Sequence, residues 1–125
     1  MADLMKGKRG LVMGVANERS IAWGIAKAMA DEGASLAFSY QGDAFGKRVE
    51  PLAASVGSDF LVDVDVMNAD SMDACFARLK DEWGSIDFLV HAIAYSDKNE
   101  LTGRFINTSL VNFKNSLAIS CYSFI

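Results

Sequence analysis

The stretch from Gly14 to Gly24, GVANERSIAWG, contains residues that could hold a phosphate group. It follows the apolar run RGLVMG and leads into an alanine-rich helical pattern. Gly14 allows a sharp turn after a strand, because glycine takes most turn geometries at little steric cost. Ser20 stands at a helix-cap position, where its hydroxyl can bond a free helix N–H or a phosphate oxygen. The N–H of Ile21 points the same way, so these residues predict a pyrophosphate-binding turn at a helix N-terminus.

Serine and alanine replace two glycines in this turn. Dinucleotide-binding turns normally carry three close glycines, and Ser20 and Ala22 stand where the second and third are expected. Ala22 and Gly24 are still small enough for the helix to pack closely on the strand. A serine that only caps a helix would explain the turn equally well, so the turn by itself leaves both interpretations open.

Short β-rich runs alternate with longer helical patterns along the whole chain. Strands are predicted at 9–14, 35–40, 59–66 and 86–93, and helices at 20–33, 43–56, 68–84 and from about Thr108 or Ser109 onward. Strict alternation predicts a parallel sheet with right-handed crossovers and strand order 3-2-1-4. This is the first half of a doubly wound α/β fold of the Rossmann type. The helical pattern at Ile125 has no signal to end, which predicts a single nucleotide-binding domain, 1–125, whose C-terminal part is missing and whose fourth strand is an exposed edge.

Helical spacing predicts which side chains face the core. The first helix is expected to bury a face formed by Ile21, Ile25, Ala28 and Met29. Pro51 is expected to kink or split the second helix. The third helix has Asp70 or Ser71 available as a cap, and its predicted buried positions are Met72, Cys75, Phe76, Leu79 and Trp83. The predicted buried positions of the last helix are Leu110, Phe113, Leu117 and Tyr122.

Composition narrows the class of partner. The sequence pI is near 4.8 and no basic face is clustered, which argues against nucleic acid as a partner. The longest apolar run is far shorter than the ~18 residues of a membrane span, and the N-terminus carries no export signal, so a cytoplasmic location is expected. Cys75 and Cys121 have no second cysteine nearby, so both are expected to be buried small hydrophobes and no metal site is predicted.

The chain resembles the bacterial enoyl-acyl-carrier-protein reductases, the NADH-dependent enzymes of type II fatty-acid synthesis within the short-chain dehydrogenase/reductase superfamily. Most of that superfamily has G-x-x-x-G-I-G after the first strand. The enoyl reductases have a turn two residues longer that ends in S-I-A, as in GVANERSIAWG. The resemblance continues through LAFSYQGDAFGKRV, DVDV, DEWGSIDFLVHAIAYSDKNEL and ISCYSF, which together span most of the chain. It identifies the turn as a variant of the dinucleotide motif.

The resemblance implies that Gly14, Ser20 and Ile21 hold the pyrophosphate and the neighbouring ribose. Gln41 follows the second strand, where dinucleotide folds usually place an acid on the adenosine ribose. An amide can bond a ribose hydroxyl, and enoyl reductases with glutamine here generally use NADH. Lys47 and Arg48 lie one helical turn further on and could attract a 2′-phosphate, so NADPH stays open as an alternative, although a solvated helix face explains both residues more simply.

The third and fourth strands supply the remaining predicted contacts. In the family, the carboxylate at Asp65 and the N–H of Val66 flank the adenine, whereas the simpler interpretation is that Asp65 caps the next helix. Asp63 would take that role only if the strand register slipped. Ile93 is expected to border the nicotinamide half of the cofactor, next to Ala94, which stands where many relatives have glycine.

Two further residues are placed by the resemblance. Ser96 lies in the loop where the family contacts the acyl thioester through the main chain. His91 is the only histidine and could suggest acid–base catalysis, but the family uses none, so a structural, hydrogen-bonded histidine is preferred.

The resemblance implies hydride transfer from the nicotinamide to the β-carbon of a trans-2-enoyl thioester on acyl carrier protein. In the family a Y-x6-K pair and an earlier tyrosine stabilise the enolate and supply the proton. Tyr122 is followed by only three residues, and Tyr40 and Tyr95 precede the motif region, so no catalytic residue is assigned in this chain. The family is usually a homotetramer.

Three other hypotheses compete with the enoyl reductase. A catalytically incomplete nucleotide-binding fragment fits the absence of the motif. Another short-chain reductase, acting on ketones, is disfavoured by the S-I-A turn. A receiver domain would need paired acids after the first strand, where the sequence reads MGVAN, so it is rejected.

Overall fold

The computed structural model describes residues 3–125. Four strands alternate with four helices, and three short 3-10 turns lie near the C-terminus. In chain order the elements are β1 (Arg9–Met13), α1 (Ile21–Asp31), β2 (Ser35–Tyr40), α2 (Asp43–Ser55), β3 (Leu61–Asp63), α3 (Ala69–Trp83), β4 (Phe88–His91) and α4 (Leu110–Ser120); the 3-10 turns are Lys98–Glu100, Phe105–Asn107 and Tyr122–Phe124. No helix in the described part of the chain is both long and apolar enough to cross a membrane.

The strands form one parallel sheet in the order β3-β2-β1-β4, which confirms the predicted topology. In β1, Gly10 pairs with Leu36 on one side and Phe88 on the other. The Phe88 ring lies over Gly10, where a Cβ would overlap it, so the central strand needs glycine at this position. Parallel register places the carboxyl ends of all four strands at one edge of the sheet.

The chain divides into two compact units, the first ending at Ala92 and the second running from Ile93 to Ile125. The first unit contains the whole sheet with α1, α2 and α3, and the second contains α4 and the 3-10 turns. The prediction of one domain over 1–125 stays a prediction.

An apolar core cluster of the first unit lies between the sheet and the helices α1 and α2. Trp23 and Phe38 form its aromatic pair, with ring centroids 6.3 Å apart. The buried members are Val12, Val15, Ala22, Trp23, Ala26, Leu36, Phe38, Val49 and Ala53. Leu11, Met13 and Ala37, which alternate with these strand residues, are equally buried and point to the other face, where a right-handed crossover places α3.

The predicted buried face of α1 is right in part: Ile25 and Met29 are half-buried, and Met29 packs against the core. Ile21 is 80% exposed and Ala28 is also exposed, whereas Ala22, Trp23 and Ala26 are buried. The true face is rotated by about one residue, because the small Ala22 and Ala26 let the helix approach β1 and β2 closely. Ile21, the first residue of the helix, is left at the surface beside the turn.

The other helix predictions hold in part. α2 runs without interruption through Pro51, so the proline does not split it. α3 is capped by Asn68, whose side chain accepts from the N–H of Ser71 at 3.2 Å, and neither Asp70 nor Ser71 is the cap. Of the five positions predicted to be buried in α3, Cys75 and Leu79 are, Met72 and Trp83 are half-buried, and Phe76 is exposed.

Both outer strands are shorter than predicted. β3 ends at Asp63 because the chain turns immediately afterwards: Asp65 Oδ1 accepts from Met67 N–H at 2.9 Å, and Asp65 O accepts from Asn68 N–H at 3.0 Å. β4 covers only Phe88–His91, and its residues are half-buried, as expected for an edge strand.

The second unit departs furthest from the sequence prediction. α4 begins after its Ser109 cap, as predicted, but it ends at Ser120 and is followed by a 3-10 turn. Its predicted core positions, Leu110, Phe113, Leu117 and Tyr122, are 49–71% exposed. Asn112 is the buried residue of the helix, since polar bonds rather than an apolar layer organise the described residues of this unit. Cys121 is exposed, unlike the buried Cys75, so only one of the two predicted buried cysteines is correct.

Candidate functional site

The first unit gathers six of the predicted site residues near the carboxyl ends of its strands. Gly14 follows β1, Gln41 follows β2, and Asp65 and Val66 follow β3. Ser20 and Ile21 begin α1 at the end of the turn that starts at Gly14. Ligands of open α/β sheets bind at this edge, so the strands bring these residues to the position that a nucleotide needs.

Gly14 has a conformation and a neighbour that both require glycine. Its φ is +110°, a region that side chains with a Cβ rarely adopt. A Cβ at this position would overlap the carbonyl oxygen of Ala92, just after β4. The backbone that follows β1 therefore passes close to the end of β4, and the turn then leads to the N-terminus of α1.

Ser20 organises the turn. Its Oγ accepts two backbone hydrogen bonds, from Ala16 N–H at 2.9 Å and from Asn17 N–H at 3.1 Å. Asn17 adds a bond in which its own Oδ1 accepts from Arg19 N–H at 2.8 Å. Ser20 is the N-cap residue of α1, as predicted from its position, but its side chain makes no cap bond to the helix. The interpretation that the hydroxyl only caps the helix therefore does not fit. Because both lone pairs of the hydroxyl are used, its hydrogen is left to donate to an acceptor outside the turn.

The first two N–H groups of α1 have no partner within the described residues. Ser20 O accepts from Trp23 N–H and Gly24 N–H, while Ile21 N–H and Ala22 N–H donate to no group in this part of the chain. Ala22 is 1% exposed, so its N–H needs a partner that comes to the helix end. Two free N–H groups, the helix dipole and the serine hydroxyl together suit a phosphate. The sequence prediction missed Ala22, although the helix start implied a second free donor.

Gln41 is an exposed residue at the corner between β2 and α2. The next residue, Gly42, has φ +84° and donates its N–H to Asp63 Oδ1 at 3.0 Å. Asp63 therefore braces this corner, a role that the sequence prediction did not find. Lys47 and Arg48 are exposed one turn further along α2.

A cavity of about 550 Å³ opens beside the turn, between Asn17–Arg19 and the α2 residues Arg48, Pro51 and Leu52. Arg48 lies over the ring of Phe45, with 5.9 Å from its guanidinium carbon to the ring centroid. The exposed Arg48 side chain therefore borders both this ring and the cavity beside the turn.

Asp65 and Val66 lie after β3 and are half-exposed. Asp65 Oδ1 accepts from Met67 N–H, and its own N–H donates to Ser71 Oγ at 2.9 Å. The carboxylate thus closes a local turn ahead of the helix, while the helix cap is Asn68. Val66 N–H has no partner within residues 3–125, which leaves it able to donate to a heterocycle.

The second unit carries the last two predicted site residues, Ile93 and Ser96, both half-buried. Ser96 Oγ accepts from Asn112 Nδ2 at 3.1 Å, and Asn112 Oδ1 accepts from Asp97 N–H at 2.9 Å. The single buried amide of α4 therefore holds the Ser96–Asp97 backbone in one conformation. Sequence reasoning missed Asn112, because an asparagine in a helical pattern ordinarily indicates a solvent-facing position.

Tyr40 and His91 carry side chains that could react, but both are packed within the first unit. Tyr40 precedes Lys47 by the Y-x6-K interval, but its ring packs on Gly46 of α2, where a Cβ would lie 2.7 Å from the ring. His91 is half-buried in β4, paired with Met13 of β1. Within residues 3–125 no three metal-ligating side chains form a group that could hold an ion.

Comparison with known proteins agrees with the geometry. Residues 14–125 match a family model described as enoyl-(acyl carrier protein) reductase. The chain belongs to the enoyl-(acyl carrier protein) reductase family. A Rhizobium meliloti protein named enoyl-[acyl-carrier-protein] reductase [NADH] 2 is 59% identical over 99% of this chain and 46% of its own length.

Solved structures of enoyl-(acyl carrier protein) reductases have the same fold as the chain. It matches FabI of Candidatus Liberibacter asiaticus with a TM-score of 0.97 and 56% identity, over 99% of this chain and 48% of the other. The reductase of Anaplasma phagocytophilum, solved in complex with NAD, matches with a TM-score of 0.96 and 55% identity, over 99% of this chain and 47% of the other. The chain thus spans about half the length of the enoyl reductases that it matches.

Proposed function

We propose that the first unit binds NADH and that the protein reduces trans-2-enoyl thioesters carried on acyl carrier protein, in type II fatty-acid synthesis. The observation that supports it best is the start of α1, where Ile21 N–H, Ala22 N–H and the Ser20 hydroxyl hydrogen have no acceptor among the described residues. These three donors lie at the positive end of a helix dipole, so a pyrophosphate satisfies all of them.

Each predicted cofactor residue has a defined part in this proposal. Gly14 lets the backbone pass close to the cofactor, and Gln41 bonds the adenosine ribose. Val66 N–H and the Asp65 carboxylate flank the adenine, and Ile93 borders the nicotinamide. Bound NADH supplies the hydride, and the chain's own residues position and enclose it.

The substrate contact is assigned to the main chain at Ser96, whose conformation Asn112 holds. No residue of this chain is proposed as catalytic. We further propose a cytoplasmic homotetramer with acyl carrier protein as the partner that delivers the substrate, and with neither nucleic acid nor a membrane as a partner.

NADH binding to the 125-residue chain, followed by fluorescence titration beside NADPH, tests this function. We expect saturable binding of NADH that weakens about tenfold in Ser20→Ala, since that change removes one hydroxyl donor and two acceptor bonds of the turn. Ser55→Ala is the matched control, because Ser55 Oγ only donates to Leu52 O at the far end of α2. Equal affinity of the wild-type chain and Ser20→Ala contradicts the proposed site.

A nucleotide-binding fragment without turnover is the second candidate, since no catalytic residue is assigned in this chain. Assaying crotonyl-CoA reduction on the same sample separates the two. Turnover supports the reductase for the chain itself, and binding without turnover favours the fragment.

A further inference from the structure

Asp63, the last residue of β3, holds the corner at which β2 passes into α2. Its Oδ1 accepts from Gly42 N–H at 3.0 Å, a bond between residues 21 positions apart in the sequence. Gly42 precedes the first turn of α2 with φ +84°. The bond therefore fixes a corner that needs glycine, one residue from the exposed side chain of Gln41.

The same bond brings a negative charge to the Gln41 corner. The Asp63 side chain is exposed, and Asp43 adds a second carboxylate at the first residue of α2. A ribose 2′-hydroxyl is neutral, whereas a 2′-phosphate carries up to two negative charges. Carboxylates at this corner thus tolerate the ribose 2′-hydroxyl of NADH and repel the 2′-phosphate of NADPH.

The two basic side chains of α2 have different surroundings. Lys47 lines a cavity of about 360 Å³ together with the acidic residues Asp43, Glu50 and Asp59. Arg48 lies over the Phe45 ring and borders the cavity beside Arg19. Of the charged side chains named here, Asp63 is the one that bonds directly to the corner.

We propose that Asp63 is a positioning and specificity-determining residue that makes the site select NADH over NADPH. It orients the Gln41–Gly42 corner through its bond to Gly42 N–H, and its charge disfavours a 2′-phosphate there. This inference rests on the nucleotide binding proposed above.

Two substitutions separate the bond from the charge. Asp63→Asn keeps an oxygen acceptor for Gly42 N–H and removes the charge, so we expect NADPH to bind roughly two- to fivefold more tightly while NADH binding changes little. This is the size expected for a carboxylate and a doubly charged phosphate about 8–10 Å apart in water, with and without screening by salt. Asp63→Ala removes both the acceptor and the charge, so it should weaken NADH binding severalfold. Asp81→Asn, at an exposed position near the C-terminal end of α3, is the control for net charge.

The ratio of the NADPH and NADH dissociation constants is the deciding quantity. A fall of this ratio in Asp63→Asn that is absent in Asp81→Asn supports the proposal, and equal ratios in the two variants overturn it. A wild-type chain that binds neither dinucleotide refutes the proposed function itself, which is a different outcome from NADH binding with an unchanged ratio.

Amide hydrogen exchange gives a measurement without any cofactor. We expect Gly42 N–H to exchange at least tenfold faster in Asp63→Ala than in the wild-type chain, with Asp63→Asn close to the wild type. Unaltered exchange of Gly42 in Asp63→Ala contradicts the positioning role.

Discussion

Replacing Gly14 by alanine is the substitution for which the structure predicts the clearest loss of stability. Gly14 has φ +110°, and a Cβ there would overlap the Ala92 carbonyl oxygen. The conformational strain costs roughly 1–3 kcal/mol. Relieving the overlap must also move Ala92, whose N–H donates to Met13 O at 3.0 Å, and losing that bond costs about 1 kcal/mol more. We therefore expect Gly14→Ala to reduce the free energy of unfolding by about 2–4 kcal/mol.

Two other glycines provide matched controls for Gly14→Ala. Gly57 has φ +79°, and a Cβ added there would meet nothing within 4 Å, so Gly57→Ala isolates conformational strain and should cost about 1 kcal/mol. Gly24 lies within α1 with open space around it, so Gly24→Ala should stabilise by roughly 0.5–1 kcal/mol.

Urea unfolding monitored by circular dichroism measures all three glycine variants. With a slope of about 1–3 kcal/mol/M, Gly14→Ala should lower the midpoint by roughly 1–2 M, well beyond the effect of Gly57→Ala. Gly14→Ala should also lower the affinity for the nucleotide, because relieving the overlap moves the turn between β1 and α1. A Gly14→Ala variant no less stable than Gly57→Ala refutes the steric argument at Ala92.

Three further predictions concern groups away from the turn. Asn112→Ala should destabilise by about 2 kcal/mol in urea unfolding, because it removes the bonds to Ser96 and Asp97, whereas the exposed Asn115→Ala should be neutral. Asn68→Ala should cost about 1 kcal/mol through loss of the α3 cap, and Asn68→Asp should restore most of it. Burial raises the pKa of the Cys75 thiol above its usual value near 9, and Arg78 opposes this shift. The contribution of the neutral thiol to stability should therefore be fully present below pH 9 and fall as the pH rises further. Cys75→Ala should flatten that fall when the free energy of unfolding is measured at about pH 8–10.

The sheet could be predicted from the sequence because its signals are local. Strand and helix patterns alternate strictly, and right-handed crossovers then leave the order β3-β2-β1-β4 as the simplest arrangement. The predicted turn residues also reach the carboxyl edge of the sheet for this reason. β1 and β2 match their predicted limits to within one residue.

The incorrect predictions concern interactions that the periodic pattern of apolar residues does not encode. Ile21 looks like a core residue by spacing, yet the small Ala22 and Ala26 decide which face of α1 meets the sheet. Leu110 and Phe113 have core-like spacing in α4, but no apolar layer among the described residues of their own unit covers them. Asp63 and Asn112 act through bonds to backbone groups distant in sequence, which spacing along the chain cannot reveal.

The most direct test of nucleotide binding at the α1 turn is to record backbone amide resonances of the ¹⁵N-labelled 125-residue chain during titration with NAD⁺. We expect saturable shifts that are largest at Ile21, Ala22 and Val66, whose N–H groups have no partner in the described residues. Gly57, at the opposite edge of the sheet, should stay unchanged. Saturable binding that shifts other amides and leaves Ile21 and Ala22 unmoved would contradict the proposed site.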